Sequence, residues 1–210
     1  MLWDLSLGPL YDLCDAKNQR LVRGWLLAGA VWGVHMGTPC NTFSRARGGM
    51  TPSLRSPQFV AGLPNLAAKQ QQQQVDVGNK LLSFSIGLLR IRRMGIAATL
   101  ENPATSYLFS MVNMLQVTNM RGCSNVVTEF CMYGMPWRKS TRVVGFNIDL
   151  LPLGARRSID KPRGLCARTM QPHTVLRGLD KGVFLTRIAQ PYPRLFCKVL
   201  TNCFHECNSL

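Results

Sequence analysis

The sequence predicts an α/β fold in which a mostly parallel sheet is flanked by helices. Two observations carry that expectation. Apolar runs of strand length recur along the chain, each closed by turn residues, and segments with helical spacing lie between them. Strand–helix alternation of this kind is the signature of βαβ units.

Each element follows in order. Residues Met1 to Leu7 suit a short strand. Asp15 to Ala28 has helical spacing, with Leu21, Val22, Trp25 and Leu26 on one side and Lys17, Gln19, Arg20 and Arg23 largely on the other. Gly29 ends that helix, and Ala30 to Met36 is a buried strand that stops at Gly37-Thr38-Pro39. Ser44 to Pro64, rich in Arg, Gly, Ser and Pro, reads as a long basic loop. The Gln70 to Gln74 run is a helix start or a solvated loop. Val77 to Met94 is a helix with a basic end at Arg90, Arg92 and Arg93.

Gly95 to Leu100 is the second strand, closed by Glu101-Asn102-Pro103, and Thr105 to Met120 is a helix. Val126 to Met132 and Arg142 to Phe146 are the third and fourth strands. Beyond Leu150 the pattern weakens. The expected organisation is therefore an α/β domain over 1–150 and a basic, loosely structured segment over 151–210. In sheets of this class a site lies outside the carboxyl ends of the strands. The first two strands would deliver Cys40 and Glu101 there, and the third leads into Tyr133 to Arg142.

Composition narrows the partner. The 210 residues carry 25 Lys and Arg against 10 Asp and Glu, a net charge of +15. Most of the cation is Arg, which forks onto phosphate, so a polyanion such as nucleic acid is the expected partner. A hydrophobic fraction of 46% supports a packed core. The longest apolar stretch, Trp25 to Thr38, is shorter than the ~20 residues of a membrane span. Eight cysteines are scattered through apolar stretches, and Asp4 and Asp12 sit where a secretory leader would be basic. Reduced thiols and an intracellular location, nuclear in a eukaryote, are expected.

Three segments carry chemistry. Thr38-Pro39-Cys40-Asn41-Thr42-Phe43-Ser44 offers a thiol after a proline, held at a strand end. Leu100-Glu101-Asn102-Pro103 offers a carboxyl after an apolar strand, where burial favours its protonated form. Tyr133 to Gly145 offers cations, among them Arg138 and Arg142. Arg45, Arg47 and Arg142 are candidate cations for the Cys40 thiolate, and Arg142 could hold a carboxylate or a substrate oxygen by paired bonds.

In this order the segments resemble the Pro-Cys, Glu-Asn and Tyr-Gly-x-Pro-x-Arg-x-x-x-Arg signatures of DNA (cytosine-5) methyltransferases, and Phe43-Ser44 matches the Phe-Ser common after that Pro-Cys. The resemblance covers roughly 31–146. It implies a Rossmann-like methyltransferase fold lacking its first strand, because no Phe-x-Gly-x-Gly segment occurs and the chain looks N-terminally truncated. It implies that Cys40 is the nucleophile at C6 of a flipped cytosine, Glu101 the proton donor at N3 and Arg142 the orienting cation. Asn41, Ser44, Asn102 and Arg138 would contact substrate. Asp4, Asp12 and Pro39 would contact S-adenosylmethionine, the methyl source, and the partner would be DNA, with no membrane and no obligate protein partner.

The alternative is a catalytically inactive nucleic-acid-binding remnant of the same fold. A thiol hydrolase using Cys40 would need a histidine beside it, and neither His35 nor His173 has a motivated place there. Val77-Gly78-Asn79 resembles the family's late Gly-Asn motif out of position and reads as a helix start. Cys197, Cys203, His205 and Cys207 are residue types that zinc accepts, but the spacing is not that of common zinc modules. No metal set is assigned.

Overall fold

The computed structural model describes residues 3–45, 52–91, 95–155, 165–180 and 183–207. Arg47, Arg92 and Arg93 lie outside them. A four-stranded sheet forms the centre: β1 (Gly33–Gly37), β2 (Ala97–Pro103), β3 (Ser124–Glu129) and β4 (Ser140–Phe146). Their spatial order is β1-β2-β4-β3. Helices cover both faces, so the α/β class stands. Among the described residues, no helix is long and apolar enough to cross a membrane.

The expectation of a mostly parallel sheet is corrected. Only β1 and β2 pair in parallel; β4 runs antiparallel to both β2 and β3. The reason lies in connection length. Residues 130–139 between β3 and β4 are too few for a parallel crossover, which needs a dozen or more. Even so, β1, β2 and β3 run in one direction, and their carboxyl ends share one rim with the start of β4.

Strand alternation sorts the side chains. On one face Leu100, Val144 and Phe146 pack against Leu82, Ile86 and Leu89 of α2 (Lys69–Leu89) and Met114 and Val117 of α3 (Val112–Thr118). On the other, Ala97 and Val143 pack against Leu153 of α4 (Leu151–Gly154) and Phe196 and Leu200 of α5 (Arg194–Cys207). A third cluster joins Leu26 of α1 (Ala16–Leu27) to Phe84, Leu88 and Ile96. Helix α1 begins where the Asp15 carboxylate accepts from Lys17 N at 2.8 Å and ends before Gly29, whose φ is +69°.

Three further expectations change. Among the described residues the N-terminal strand is absent: Asp4 Oδ1 accepts from Ser6 N at 2.7 Å, and Leu5–Leu7 closes into a 3-10 turn. The Thr105 to Met120 helix is split, because Ser106 Oγ accepts from Leu108 N and starts a separate 3-10 turn at Tyr107–Ser110 before α3. Part of the loosely structured 151–210 segment is α5, a 14-residue helix whose Phe196, Leu200 and Cys203 recur at helical spacing and are buried. A short hairpin, β5 (Leu179–Asp180) with β6 (Val183–Phe184), precedes it.

The loop after Cys40 is anchored by a buried arginine. Arg55 is 1% exposed. Its Nη1 donates to Val60 O at 2.6 Å and Asn79 Oδ1 at 2.9 Å, and its Nη2 to Thr42 Oγ1 at 3.1 Å. The guanidinium lies 3.8 Å from the centroid of Phe43. Gly78 makes this possible, since a Cβ there would lie 2.7 Å from Thr42 Oγ1 and 3.3 Å from Arg55 Nη2. Val77-Gly78-Asn79 is thus a packing notch within α2.

Replacing Arg55 with Met would leave three acceptors without their donor in a nearly closed site. The expected loss is on the order of 3 kcal/mol, read as a lower urea midpoint at unchanged slope.

Candidate active site

Cys40 follows β1 by three residues, and Glu101 and Asn102 lie in β2 beside it. Asn102 Nδ2 donates to Thr38 O at 2.6 Å and so pins the end of β1 to β2 just before the thiol. Glu101 is 5% exposed. Thr141 Oγ1 donates to its Oε1, and Tyr192 Oη donates to its Oε2 at 2.8 Å.

Tyr192 extends the network. Its Oη lies 3.3 Å from His35 Nε2, and His35 Nδ1 lies 2.8 Å from Thr99 Oγ1. With Glu101 ionised, one proton arrangement serves every contact: Thr99 donates to His35, His35 Nε2–H to Tyr192, and Tyr192 to Glu101. Burial holds His35 down to about 4, so the imidazole is neutral at pH 7. Burial and the Glu101 charge push the Tyr192 phenol far above its ordinary range, which keeps it a donor.

The thiol of Cys40 is half-buried. Burial raises its pKa, Lys139 lowers it and Glu101 raises it, with burial the largest effect. Among the described residues, Lys139 is therefore the cation that favours the thiolate. Its Nζ donates to Ala189 O at 3.1 Å and lies 4.6 Å from the centroid of Phe130.

The predicted orienting cation is elsewhere. Arg142 pairs in register with Asn102, whereas Glu101 pairs with Val143. Alternation along β4 therefore turns Arg142 to the α3 face of the sheet, away from Glu101 and Thr141. There its Nε donates to Asn125 Oδ1 at 2.8 Å and its guanidinium covers Phe109 at 4.6 Å. Arg138, expected on substrate, forms an ion pair of 3.1 Å with the buried Glu129. Arg45 lies over Tyr107 at 4.7 Å.

A cavity of about 980 Å³ opens between the N-terminal segment, α1, α2 and β1. Its wall includes Asp4, Asp12 and Pro39, the three residues expected on a cofactor, together with Asn41 and Tyr192. Cys40 thus lies between two residues that line it. Trp3, Tyr11 and Trp25 also face the cavity, with Trp3 in edge-to-face contact with each of the others at 5.3 Å. Trp3 Nε1 is buried without a hydrogen-bond partner among the described residues. Ser44 is half-buried just beyond Phe43, whose carbonyl accepts from Tyr107 N at 2.9 Å.

The C-terminal cysteines do not converge. Cys203 is buried in the core and Cys197 is exposed on α5. On a helix, positions 203 and 207 share a side while 205 points away. The residues that sequence reasoning missed are Lys139, Thr141 and Tyr192; His35, given no place beside Cys40 in the sequence, is a strand histidine with both ring nitrogens hydrogen-bonded. Lys139, Thr141 and Val143 alternate with Arg138, Ser140 and Arg142, so a strand beginning at Ser140 would have revealed two of them. Tyr192 carries no such signal, because a loop far along the chain brings it in.

Compared with known proteins, the chain matches no family model, no curated protein and no solved structure.

Two measurements check this geometry. Because the folded pKa of His35 lies below the unfolded value of about 6.5, the unfolded chain takes up the proton first. Stability should therefore fall as pH drops from about 6.5 to about 4, by at most ~3 kcal/mol. His35→Gln should flatten that limb in urea melts taken across the pH range. Alkylation of Cys40, followed by peptide mass spectrometry, should have its midpoint above the ordinary thiol value of 9.0. Lys139→Met should move that midpoint further up and Glu101→Gln should move it down.

Proposed function

We propose that the chain is a methyltransferase-like domain in which Cys40 and Glu101 act on a cytosine-type ring in DNA. The observation that carries this reading is one juxtaposition. A thiol and a buried carboxyl stand at the ends of adjacent parallel strands, beside a cavity walled by Asp4, Asp12 and Pro39.

The cavity's chemistry suits S-adenosylmethionine. Two carboxylates can accept from ribose hydroxyls or balance cationic groups, aromatic faces can stack on adenine, and Trp3 Nε1 is a donor in want of an acceptor. When bound, that molecule supplies an electrophilic methyl group. The chain's own residues would prepare the ring. The sulfur of Cys40, as thiolate, forms a bond to C6, and the ring π pair shifts toward C5. Glu101, having taken up the proton that the Cys40 thiol gives up, would pass it to N3, which offsets the charge that the addition leaves on the ring. Lys139 supports the thiolate through space, and Asn102 holds the Thr38-Pro39 backbone in place. Once C5 carries the methyl group, loss of the C5 proton to solvent would expel the thiolate, and return of the N3 proton to Glu101 would restore the ring. A base in a duplex must leave the stack for this attack, and the net positive charge suits a grip on phosphates meanwhile.

The second reading, a binding remnant without catalysis, is favoured by one observation: Arg142, the expected orienting cation, faces α3 instead. A duplex carrying 5-fluorocytosine separates the two, because fluorine at C5 blocks the final elimination and traps the adduct. With S-adenosylmethionine present, a denaturant-stable complex lost in Cys40→Ser is expected, together with calorimetric binding of S-adenosylmethionine that weakens in an Asp4→Asn, Asp12→Asn variant. Duplex binding with neither adduct nor cofactor heat would establish the remnant instead.

A further inference from the structure

Cys131, Cys166 and His173 lie far apart in sequence but meet in space: their ligand atoms all fall within 4.8 Å of one another. We infer that they form a binding site for one zinc-class divalent ion, which staples the turn at 165–174 onto the segment that follows β3. The site is separate from Cys40 and independent of the function proposed above.

The turn is shaped around the Cys166 sulfur. Cys166 N donates to Gln171 O at 2.9 Å and Met170 N to Cys166 O at 2.8 Å, and a bridge between Leu165 and Pro172 closes the loop. Met170 takes a φ of +57°, unusual for a side chain of its size. This fold-back directs the backbone N–H groups of Arg168 and Thr169 at the sulfur. Such donors satisfy a thiolate and leave its remaining lone pairs for a metal.

The other two ligands are held as firmly. Cys131 is fully buried in the 3-10 turn Phe130–Tyr133. Arg168 Nε donates to Cys131 O at 2.9 Å, and Thr174 N to Pro136 O at 2.8 Å, so the two segments are already docked. His173 Nε2 is buried with no hydrogen-bond partner among the described residues. A buried imidazole nitrogen beside two thiols calls for an explanation, and a metal ion supplies one.

The need for a staple is visible in the packing. Of residues 165–174, Cys166 alone is buried and most of the rest are exposed, so apolar burial does little to hold the turn. Zinc takes thiolate at about 2.3 Å and imidazole at about 2.0 Å, so closing the set onto an ion requires contraction of about an ångström. Binding releases any proton held by each thiol to solvent; no electrons move. Three protein ligands leave the fourth tetrahedral position to water. A hollow of about 250 Å³ bordered by Gly134, Cys166 and Arg168 adjoins the turn and gives solvent a way in.

The test uses the full chain purified without chelator. Elemental analysis should find close to one zinc per chain, and replacement by cobalt should produce thiolate-to-cobalt charge-transfer absorption. Cys166→Ser and His173→Asn should each weaken zinc affinity by more than about tenfold, while Cys197→Ser on α5 should leave it unchanged. The cobalt spectrum of the unaltered chain keeps the test decisive if a variant misfolds. Absence of both zinc and the cobalt band overturns the inference. So does zinc retained by a Cys166→Ser, His173→Asn double variant, or an intact mass and peptide map showing a Cys131–Cys166 disulfide in its place.

Discussion

A buried guanidinium, without a carboxylate partner among the described residues, holds the site end of this molecule together. Arg55 sits under the loop that follows Cys40, and its bonds go to neutral acceptors on that loop, on Val60 and on α2. Burial lowers its pKa to about 10, which still leaves it a cation at neutral pH. A charge so placed is tolerable only because carbonyls, a hydroxyl, an amide and the Phe43 ring replace its water. The constraint reaches further than the loop. It demands a residue without Cβ at position 78, an amide at 79 and a hydroxyl at 42. It also sets the path of Thr42 and Phe43, and through them the position of the thiol two residues earlier.

The same rim is fixed from the other side by hydroxyls. Thr141 and Tyr192 each give a hydrogen bond to Glu101, and Asn102 ties β2 to the backbone before Pro39. Neighbouring residues of β2 thus serve different partners on opposite faces: Glu101 turns toward Tyr192 and α5, Asn102 toward the face of α2 and α3. Position 142 shares the face of Asn102, so the arginine that looks aligned with the carboxyl in sequence is separated from it by the thickness of the sheet. Lys139 takes its place as the cation near sulfur. The electrostatic balance at Cys40 is consequently a contest among burial, an ammonium and a carboxylate, and burial is the strongest of the three.

The cavity adds a different kind of dependence. Its wall joins the first dozen residues to β1 and to the face of α2. Asp4 and Asp12 each cap a local turn, one carboxylate oxygen accepting from Ser6 N and Cys14 N respectively. These turns, with Trp3 packed against Tyr11 and Trp25, shape the N-terminal wall of the cavity. The acidic residues at the cavity are therefore also the residues that shape it.

Much of this architecture was written locally. The four strands, α1 and α2 follow from apolar runs, helical spacing and the turn residues that bound them, and the ends of β1 and β2 placed Cys40 and Glu101 at one rim. Those features depend on neighbours along the chain, which a sequence displays. The antiparallel β4 was also legible in principle, from the short link between β3 and β4. What tertiary structure alone decided was which side chains face one another across long separations. Tyr192 reaches Glu101, Arg55 reaches Asn79, and Cys131 meets Cys166 and His173 only after the chain has folded. Register decided the rest: a side-chain period of two residues sends Arg142 to one face and Thr141 to the other, and no motif that counts arginines can tell which.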